Sequence, residues 1–246
     1  MISKIKSLAE DYKVLLRNVP ALMTMFFVIA TIAMNCAAGK LIFTAGNVSL
    51  TGGFLLSAVP FLAMDTVTRH MGARASIMLN VLSATFNVFF VLFMSLVAAI
   101  PTEMPYTEFN YVYGSVWFIV VCSTLAFIIS GVANSLLNAA IGKMFKKQNV
   151  VEFITRSYVS TFIGQAVDNF LFIGGVYVIF APIFWGMDPM PIATCIGTAI
   201  VGGLVELLAE VVLSPVSYRI CARWKKEGIG AEYIKLHEAN INAADA

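Results

Sequence analysis

Four polar residues recur at helical spacing in the stretch Ser160-Thr161-Phe162-Ile163-Gly164-Gln165-Ala166-Val167-Asp168-Asn169-Phe170-Leu171-Phe172. It lies inside a long apolar run and predicts a helix. With about 3.6 residues per turn, Thr161, Gln165, Asp168 and Asn169 share one face of that helix. Polar groups in a hydrophobic helix are costly unless they have partners, and in a membrane they indicate a functional site. A hydrogen bond that holds two helices together is the structural alternative.

The composition favours a membrane protein. The chain has 246 residues, of which 59% are hydrophobic and 12% charged, whereas a soluble domain carries about 25% charged residues. The net charge of +2 is too small to favour nucleic acid as a partner. Four widely spaced cysteines, three of them in apolar runs, are typical of small buried side chains rather than of disulfides or metal ligands.

Six apolar segments are long enough to predict membrane spans, since a spanning helix needs about 20 apolar residues. They run roughly over residues 19–38, 52–68, 75–100, 113–140, 158–184 and 192–218. The second is short and contains Pro60, and residues 41–50 predict a loop or hairpin. The fold class is therefore all-α, a polytopic membrane protein with six transmembrane helices in one bundle.

Basic residues alternate between the predicted loops. The N-terminal arm, the second-to-third loop, the fourth-to-fifth loop and the C-terminal tail carry lysine or arginine, whereas the other two loops carry only acidic residues. Lysine and arginine concentrate in cytoplasmic loops, so both termini are expected in the cytoplasm. The organisation is an amphipathic arm at 1–18, a transporter domain at 19–220 and a polar cytoplasmic tail at 221–246.

Several charged and amide residues fall within the first two spans. Asn35 lies deep in the first span, and Lys40 closes it, where its side chain is expected to extend to the outer surface. In the second span, Asp65 and Arg69 are four residues apart and can pair on one helix face. That pair is either a structural contact or a cytoplasmic gate that holds and releases an ion pair.

Later spans carry further polar residues. Asn134 belongs to a polar stripe in the fourth span, and Glu206 and Glu210 lie four residues apart in the sixth. Two carboxylates this close repel each other unless one of them is protonated or a cation lies nearby. That cation could be a lysine or arginine, a coupled ion or an amine of the substrate.

The sequence contains none of the common motifs of enzyme chemistry. It has no HExxH, no GxSxG and no glycine-rich phosphate loop, and both histidines lie outside the predicted spans. We therefore expect neither an enzyme nor a bound cofactor or metal.

Several motifs together resemble one family. They are Asn35…Lys40, Pro60-Phe61, Asp65…Gly72 followed by Ala73-Arg74-Ala75, Arg156 before Ser160-Thr161, Gln165-x-x-Asp168 with Phe172, and Ser214-Pro215…Tyr218. This pattern resembles the vitamin uptake transporter family, whose best-known branch is the queuosine precursor transporters. The resemblance covers most of the chain, and the Ser-Thr…Gln-x-x-Asp segment is its most specific part.

The resemblance implies a six-span inner-membrane protein of a bacterial cell, with a fold similar to the substrate-binding subunits of energy-coupling-factor transporters. The implied substrate is a deazaguanine-like base. Asp168 can accept hydrogen bonds from two donors of such a base, and Gln165 can both donate and accept. Phe162, Phe170 and Phe172 are the candidates to stack on the ring, and the expected substrate-binding residues besides Gln165 and Asp168 are Asn35, Asn134, Phe172 and Glu206. The expected gating or ion-pair residues are Asp65, Arg69, Glu210 and Lys40.

The chain departs from the family pattern at two positions. Arg69 stands where the family usually has an acid, and Glu206 and Glu210 occupy the span in which the family often has a lysine. An acid–base pair that has exchanged its signs would explain both departures.

Three functions remain open from the sequence. The chain is a solitary carrier, or a binding subunit that needs a separate energising module, or an intramembrane enzyme that uses Glu206, Glu210 and Asp168. No nucleophile or metal cluster accompanies these acids, which argues against the enzyme. A purely structural membrane protein is also disfavoured by so many inward polar residues. A homodimer is compatible with each of these readings.

Overall fold

A computed structural model describes residues 2–37, 41–45, 48–103, 107–114, 117–145 and 149–244. These residues are almost entirely helical, which confirms the all-α class. The elements are α1 (Ile2–Asn18), α2 (Ala21–Ala37), β1 (Leu41–Ala45), β2 (Val48–Thr51), α3 (Phe54–Met71), α4 (Ala73–Ala98), α5 (Thr107–Gly114), α6 (Trp117–Met144), α7 (Val150–Ile173), α8 (Ala181–Trp185), α9 (Ile192–Glu227) and α10 (Ala231–Ala244).

Four helical stretches are long and apolar enough to cross a membrane. They are α4, α6, α9 and the continuous stretch formed by α7, a π-helical segment at Gly174–Phe180 and α8. A fifth is added if residues 8–18 and α2, which meet at an angle of 108°, form one span. Helix α2 has 17 residues, and α3 has 18 and includes Pro60, Asp65 and Arg69. Helix α3 and α2 taken alone are not among the stretches that are long and apolar enough to span, so the count of six spans stays a prediction.

Two helices extend well beyond their predicted bounds. Helix α7 begins at Val150, eight residues earlier than expected, because the side chain of Asn149 caps it by accepting a hydrogen bond from the backbone N–H of Glu152 at 2.8 Å. Helix α9 continues past Pro215 to Glu227. The Ser214 hydroxyl donates to the Val211 carbonyl at 3.0 Å, which replaces the bond that the proline cannot make.

The two ends of the chain lie at the same end of the bundle, here called the terminal end. Helix α1 packs against α10, and Asn18 donates to Glu232 at 3.1 Å. Tyr233 is completely buried in the core, and burial raises the pKa of its phenol to about 12. The tail after Gly228 is therefore a helix that docks on the bundle, rather than the frayed or superficial segment that its polar sequence suggests.

The opposite end of the bundle, here called the hairpin end, carries β1 and β2. These strands pair antiparallel, which agrees with the predicted loop or hairpin at 41–50. The carbonyl of Ala37, at the end of α2, would lie only 2.8 Å from a Cβ placed on Gly52, so the glycine allows the hairpin to pack against α2. Helices α2 and α3 therefore run antiparallel between the hairpin end and the terminal end.

Candidate functional site

A small pocket, here called the hairpin pocket, opens beneath β2 between α2, α3, α6, α7 and α9. Its volume is about 40 Å³. The side chains in it that carry polar or aromatic chemistry are Asn35, Thr51, Phe54, Ser57, Ser123, Asp168, Asn169, Phe172, Thr198 and Glu206. Four of the six residues expected to bind substrate, namely Asn35, Asp168, Phe172 and Glu206, thus lie together in one pocket.

The Glu206 carboxylate is held by side chains from two neighbouring helices. The Ser57 hydroxyl of α3 donates to its Oε1 at 2.5 Å, and the Asn169 amide of α7 donates to its Oε2 at 3.0 Å. Glu206 is only 3% exposed. Gly202 of α9 leaves room for the Asn169 side chain to reach Glu206. A Cβ at this glycine would lie only 2.9 Å from the side-chain nitrogen of Asn169.

Asp168 and Asn35 approach the hairpin pocket from opposite sides. Asp168 accepts a hydrogen bond from Ser130 of α6 at 2.7 Å through its Oδ1. Asn35 accepts from Ser123 of α6 and donates to the Thr31 carbonyl at 3.0 Å. The pocket therefore presents two carboxylates, two amides and the phenyl ring of Phe172, a set that suits a planar ligand with several N–H donors.

A second cluster lies closer to the terminal end. Asp65 of α3 accepts hydrogen bonds from Asn134 of α6 at 2.8 Å, from Ser157 of α7 at 2.5 Å and from Thr161 of α7 at 3.2 Å. Glu210 of α9 contacts the same Ser157 hydroxyl at 2.5 Å. Asn134 therefore supports Asp65 and is absent from the lining of the hairpin pocket. We refer to Asp65 and Glu210 as the acid pair.

Arg69 pairs with an acid that the sequence analysis did not consider. Its guanidinium lies 2.5 Å from Glu152 of α7, and Arg156 binds the other oxygen of the same carboxylate at 2.8 Å. Arg69 thus turns away from Asp65, so the expected pair between these two residues is not formed. Arg69 also pairs with neither Glu206 nor Glu210, which is contrary to the sign-exchange explanation. We call Arg69, Glu152 and Arg156 the arginine triad.

The arginine triad is joined to the acid pair through α6. Arg156 donates to the side-chain oxygen Oδ1 of Asn138 at 2.9 Å, and the side-chain nitrogen of Asn138 donates to the Ser160 hydroxyl at 3.3 Å. A Cβ on Gly142 would lie 2.7 Å from the guanidinium carbon of Arg156, so this glycine makes room for the charge between α6 and α7. Polar contacts thus continue from the acid pair to the terminal end of the bundle.

Gln165 lies between the hairpin pocket and the acid pair. It is one turn from Thr161 and one turn from Asn169 on α7, and it is 0% exposed. Neither end of its amide has a hydrogen-bond partner among the described residues. Unsatisfied buried amides are uncommon in folded proteins, so Gln165 is a strong candidate for a group that meets a ligand.

Phe61 of α3 occupies the same level of the bundle. It is one turn from Ser57 and one turn from Asp65, and it is fully buried. A Cβ on Gly164 would lie 2.9 Å from its ring and 3.0 Å from the Cβ of Asn134. The ring therefore packs directly on the backbone of α7 and separates the hairpin pocket from the acid pair.

Asn80 and Asn87 of α4 are structural, because Asn80 donates to the Phe127 carbonyl at 3.2 Å and Asn87 donates to Thr124 at 3.3 Å. Lys40 lies outside the described residues. Within the described ranges, no three His, Cys, Asp or Glu side chains are grouped to hold a metal ion.

The sequence analysis also missed several partners. Ser57, Ser123 and Ser157 are single hydroxyls in apolar helices, a pattern too common to indicate a site. Glu152 falls between the predicted fourth and fifth spans, although its four-residue spacing from Arg156 is a recognisable helical pairing signal.

A model of a known protein family matches most of the chain. The family model described as "Putative vitamin uptake transporter" matches residues 51–220, which is well over half of the 246-residue chain. The match covers α3 to α9 and so includes the acid pair, the arginine triad and most of the hairpin pocket. No curated protein and no solved structure matches the chain. The chain therefore belongs to the vitamin uptake transporter family and is a multi-pass membrane protein of that family.

Proposed function

We propose that the protein imports a queuosine precursor, a deazaguanine, or a closely related small heterocycle across the bacterial inner membrane, and that the hairpin pocket receives it. The observation that supports this most directly is the set of pocket side chains. Asp168 and Glu206 accept hydrogen bonds, Asn35 and Asn169 both donate and accept, and Phe172 offers a ring for stacking.

The chemistry of a deazaguanine matches that set. Its guanine-like edge has several N–H donors beside one carbonyl acceptor, so a carboxylate and an amide can bind it together. An aminomethyl substituent adds a cation, which a second carboxylate would stabilise. Gln165 lies one turn deeper with an unpaired amide, and its partner in this proposal is the substrate.

The hairpin pocket is narrow in this structure. Its volume of about 40 Å³ is near the roughly 30 Å³ that one water molecule occupies in the liquid. A bicyclic base is much larger, so substrate entry requires β1, β2 and α2 to move away from α7 and α9. Movement past Phe61 toward the terminal end would then release the substrate into the cytoplasm, as alternating access demands.

Six crossings with both termini in the cytoplasm form part of the proposal. Helices α2 and α3 run between the two ends of the bundle, and the docking of α1 on α10 brings both termini to one end. That arrangement supports an even number of crossings. Arg69, Arg74, Arg156 and Arg223 all lie toward the terminal end, which fits a cytoplasmic location.

The test is uptake of a labelled deazaguanine into cells that lack endogenous import. Asp168→Asn should reduce uptake roughly tenfold or more, because a hydrogen bond to a charged group contributes about 1.5–3 kcal/mol, and Gln165→Ala should also reduce it. The matched control is Asp188→Asn, since Asp188 is exposed between α8 and α9 and should transport normally. Uptake that is unaffected by both pocket variants would place the site elsewhere, and no uptake of any deazaguanine would exclude this substrate class.

A further inference from the structure

The acid pair shares one hydroxyl group. Ser157 Oγ lies 2.5 Å from Asp65 Oδ2 and 2.5 Å from Glu210 Oε1. A serine hydroxyl has a single hydrogen and can donate it to only one of these oxygens. The other short contact would join two acceptors unless its carboxyl group carries a proton. The geometry therefore favours one proton on the acid pair.

The surrounding donors indicate which acid holds that proton. Asp65 accepts from Asn134 and Thr161 as well as from Ser157, which is the environment of an ionised carboxylate. Glu210 is fully buried, and its Oε2 has no hydrogen-bond partner among the described residues. The consistent arrangement has a protonated Glu210 that donates to Ser157, which in turn donates to Asp65.

The charges around the acid pair lead to the same assignment. The titratable and charged groups around it are Arg69 from α3, Glu152, Arg156 and Tyr158 from α7, and Tyr218 and Cys221 from α9, whereas Asp168 and Glu206 lie beyond Phe61 in the hairpin pocket. In the parts of α6 that pack here, the polar side chains are hydroxyls and amides.

Two arginines and two ionised acids balance one another. Arg69 and Arg156 are positive, and Glu152 and Asp65 are negative. A carboxylate at Glu210 would add a buried negative charge without a counterion, directly beside the Asp65 carboxylate on the other side of Ser157. Glu210 can therefore lose its proton only when the bundle opens and admits water.

We propose that Glu210, bridged to Asp65 by Ser157, is a proton-binding site that couples substrate import to proton entry. This inference rests on the proposed transport function. When the bundle is open to the outside, the Glu210 carboxylate takes one proton from water and an O–H bond forms. When the bundle is open to the cytoplasm, that bond breaks and the proton passes to water. One proton thus enters with each substrate molecule.

Infrared spectroscopy tests the proton site without substrate. A protonated carboxylic acid has a carbonyl-stretch band that a carboxylate lacks. In the purified protein, Glu210→Gln should remove one such band, whereas Glu227→Gln should not, because Glu227 is an exposed acid on the same helix paired with Arg223. Spectra in which Glu210→Gln removes no acid band would overturn the proposal.

Proteoliposomes test the coupling. Wild-type protein should exchange a labelled cyano-deazaguanine across the membrane by counterflow. An absence of counterflow would count against the proposed transport function. The infrared result would then decide separately whether Glu210 binds a proton. An inward proton gradient should drive accumulation of this neutral substrate by up to about tenfold per pH unit for one proton per molecule.

The variants are compared through the ratio of accumulation with and without the proton gradient. Glu210→Gln should bring that ratio close to one, and Ser157→Ala, which breaks the bridge without changing the charge, should lower it as well. Glu227→Gln should keep the wild-type ratio. A ratio that responds to a sodium gradient instead of a proton gradient, or that stays unchanged in both Glu210→Gln and Ser157→Ala, would overturn the coupling.

Discussion

Gln165 is the residue whose side chain is most difficult to explain by structure alone. It is completely buried, and its amide has no partner among the described residues. A buried amide without hydrogen bonds costs about 1–3 kcal/mol. A residue that costs stability in the empty protein and gains partners from a ligand is typical of a binding site.

We predict that Gln165→Leu leaves the thermal stability of the purified, substrate-free protein unchanged or raises it, while it abolishes the stabilisation that a deazaguanine gives to the wild type. The measurement is thermal unfolding in detergent with and without substrate. Asn80→Leu is the matched control and should lower the melting temperature, because Asn80 donates to the carbonyls of Phe127 and Ile128. If Gln165→Leu destabilises the protein as much as the control does, Gln165 has a structural role.

At the residue scale, helical periodicity located much of the polar interior. It placed Gln165, Asp168 and Asn169 on one face of α7, and the structure buries that face against α6 and α9. It did not identify the partner of Arg69, because spacing along one helix favours Asp65 whereas the contact is made by Glu152 from another helix. Sequence spacing identifies only the neighbours of a residue within its own helix. A long charged side chain can also pair with residues of the other helices that pack around it.

At the scale of elements, the crossing of α3 and α7 depends on one glycine. Gly164 allows the ring of Phe61 to lie on the backbone of α7, and a Cβ there would lie 2.9 Å from the ring. Both neighbours of that Cβ, Phe61 and Asn134, are fully buried and have little room to move. The glycine therefore sets how closely these two helices approach.

We predict that Gly164→Ala lowers the stability of the protein by about 1–3 kcal/mol, the usual cost of overpacking a core, and lowers uptake as well. Gly174→Ala on the same helical stretch is the control, because its nearest non-local atom would be Cys195 Sγ at 3.7 Å, an ordinary contact. Thermal unfolding in detergent and uptake assays measure both effects. Equal melting temperatures for the two variants would mean that α3 and α7 separate easily at Phe61.

The bounds of the elements were harder to predict than their existence. Every predicted span contains a helix, yet α7 begins earlier and α9 ends later than hydropathy indicates. Hydropathy follows the lipid-facing apolar surface, whereas Glu152 and Arg156 stay helical because each satisfies the other's charge. Trp224 and Tyr233 are buried against the bundle for a similar reason, since tertiary contacts and not composition hold the C-terminal segment in place.

At the scale of the whole molecule, the alternation of basic loops is the most informative signal in the sequence. It leads to an even number of crossings, and the packing of α1 against α10 independently brings both termini to one end. The lengths of α2 and α3 do not settle the count, because these helices are short and α3 carries the charged residues Asp65 and Arg69, of which Asp65 is buried. The burial of charge by neighbouring helices is a tertiary effect that composition does not show.

The topology itself can be tested by cysteine labelling in intact cells. In a background without the four native cysteines, we predict that Asp188→Cys reacts with a membrane-impermeant maleimide from outside, because Asp188 lies exposed at the hairpin end between α8 and α9. Lys226→Cys, exposed near the end of α9 at the terminal end, should react only after the membrane is opened. Unfolded protein in denaturant, in which both cysteines react, is the control for reactivity. Labelling of both positions from the same side would contradict a membrane crossing by α9, and labelling of Lys226→Cys alone would invert the orientation and place the basic end outside the cell.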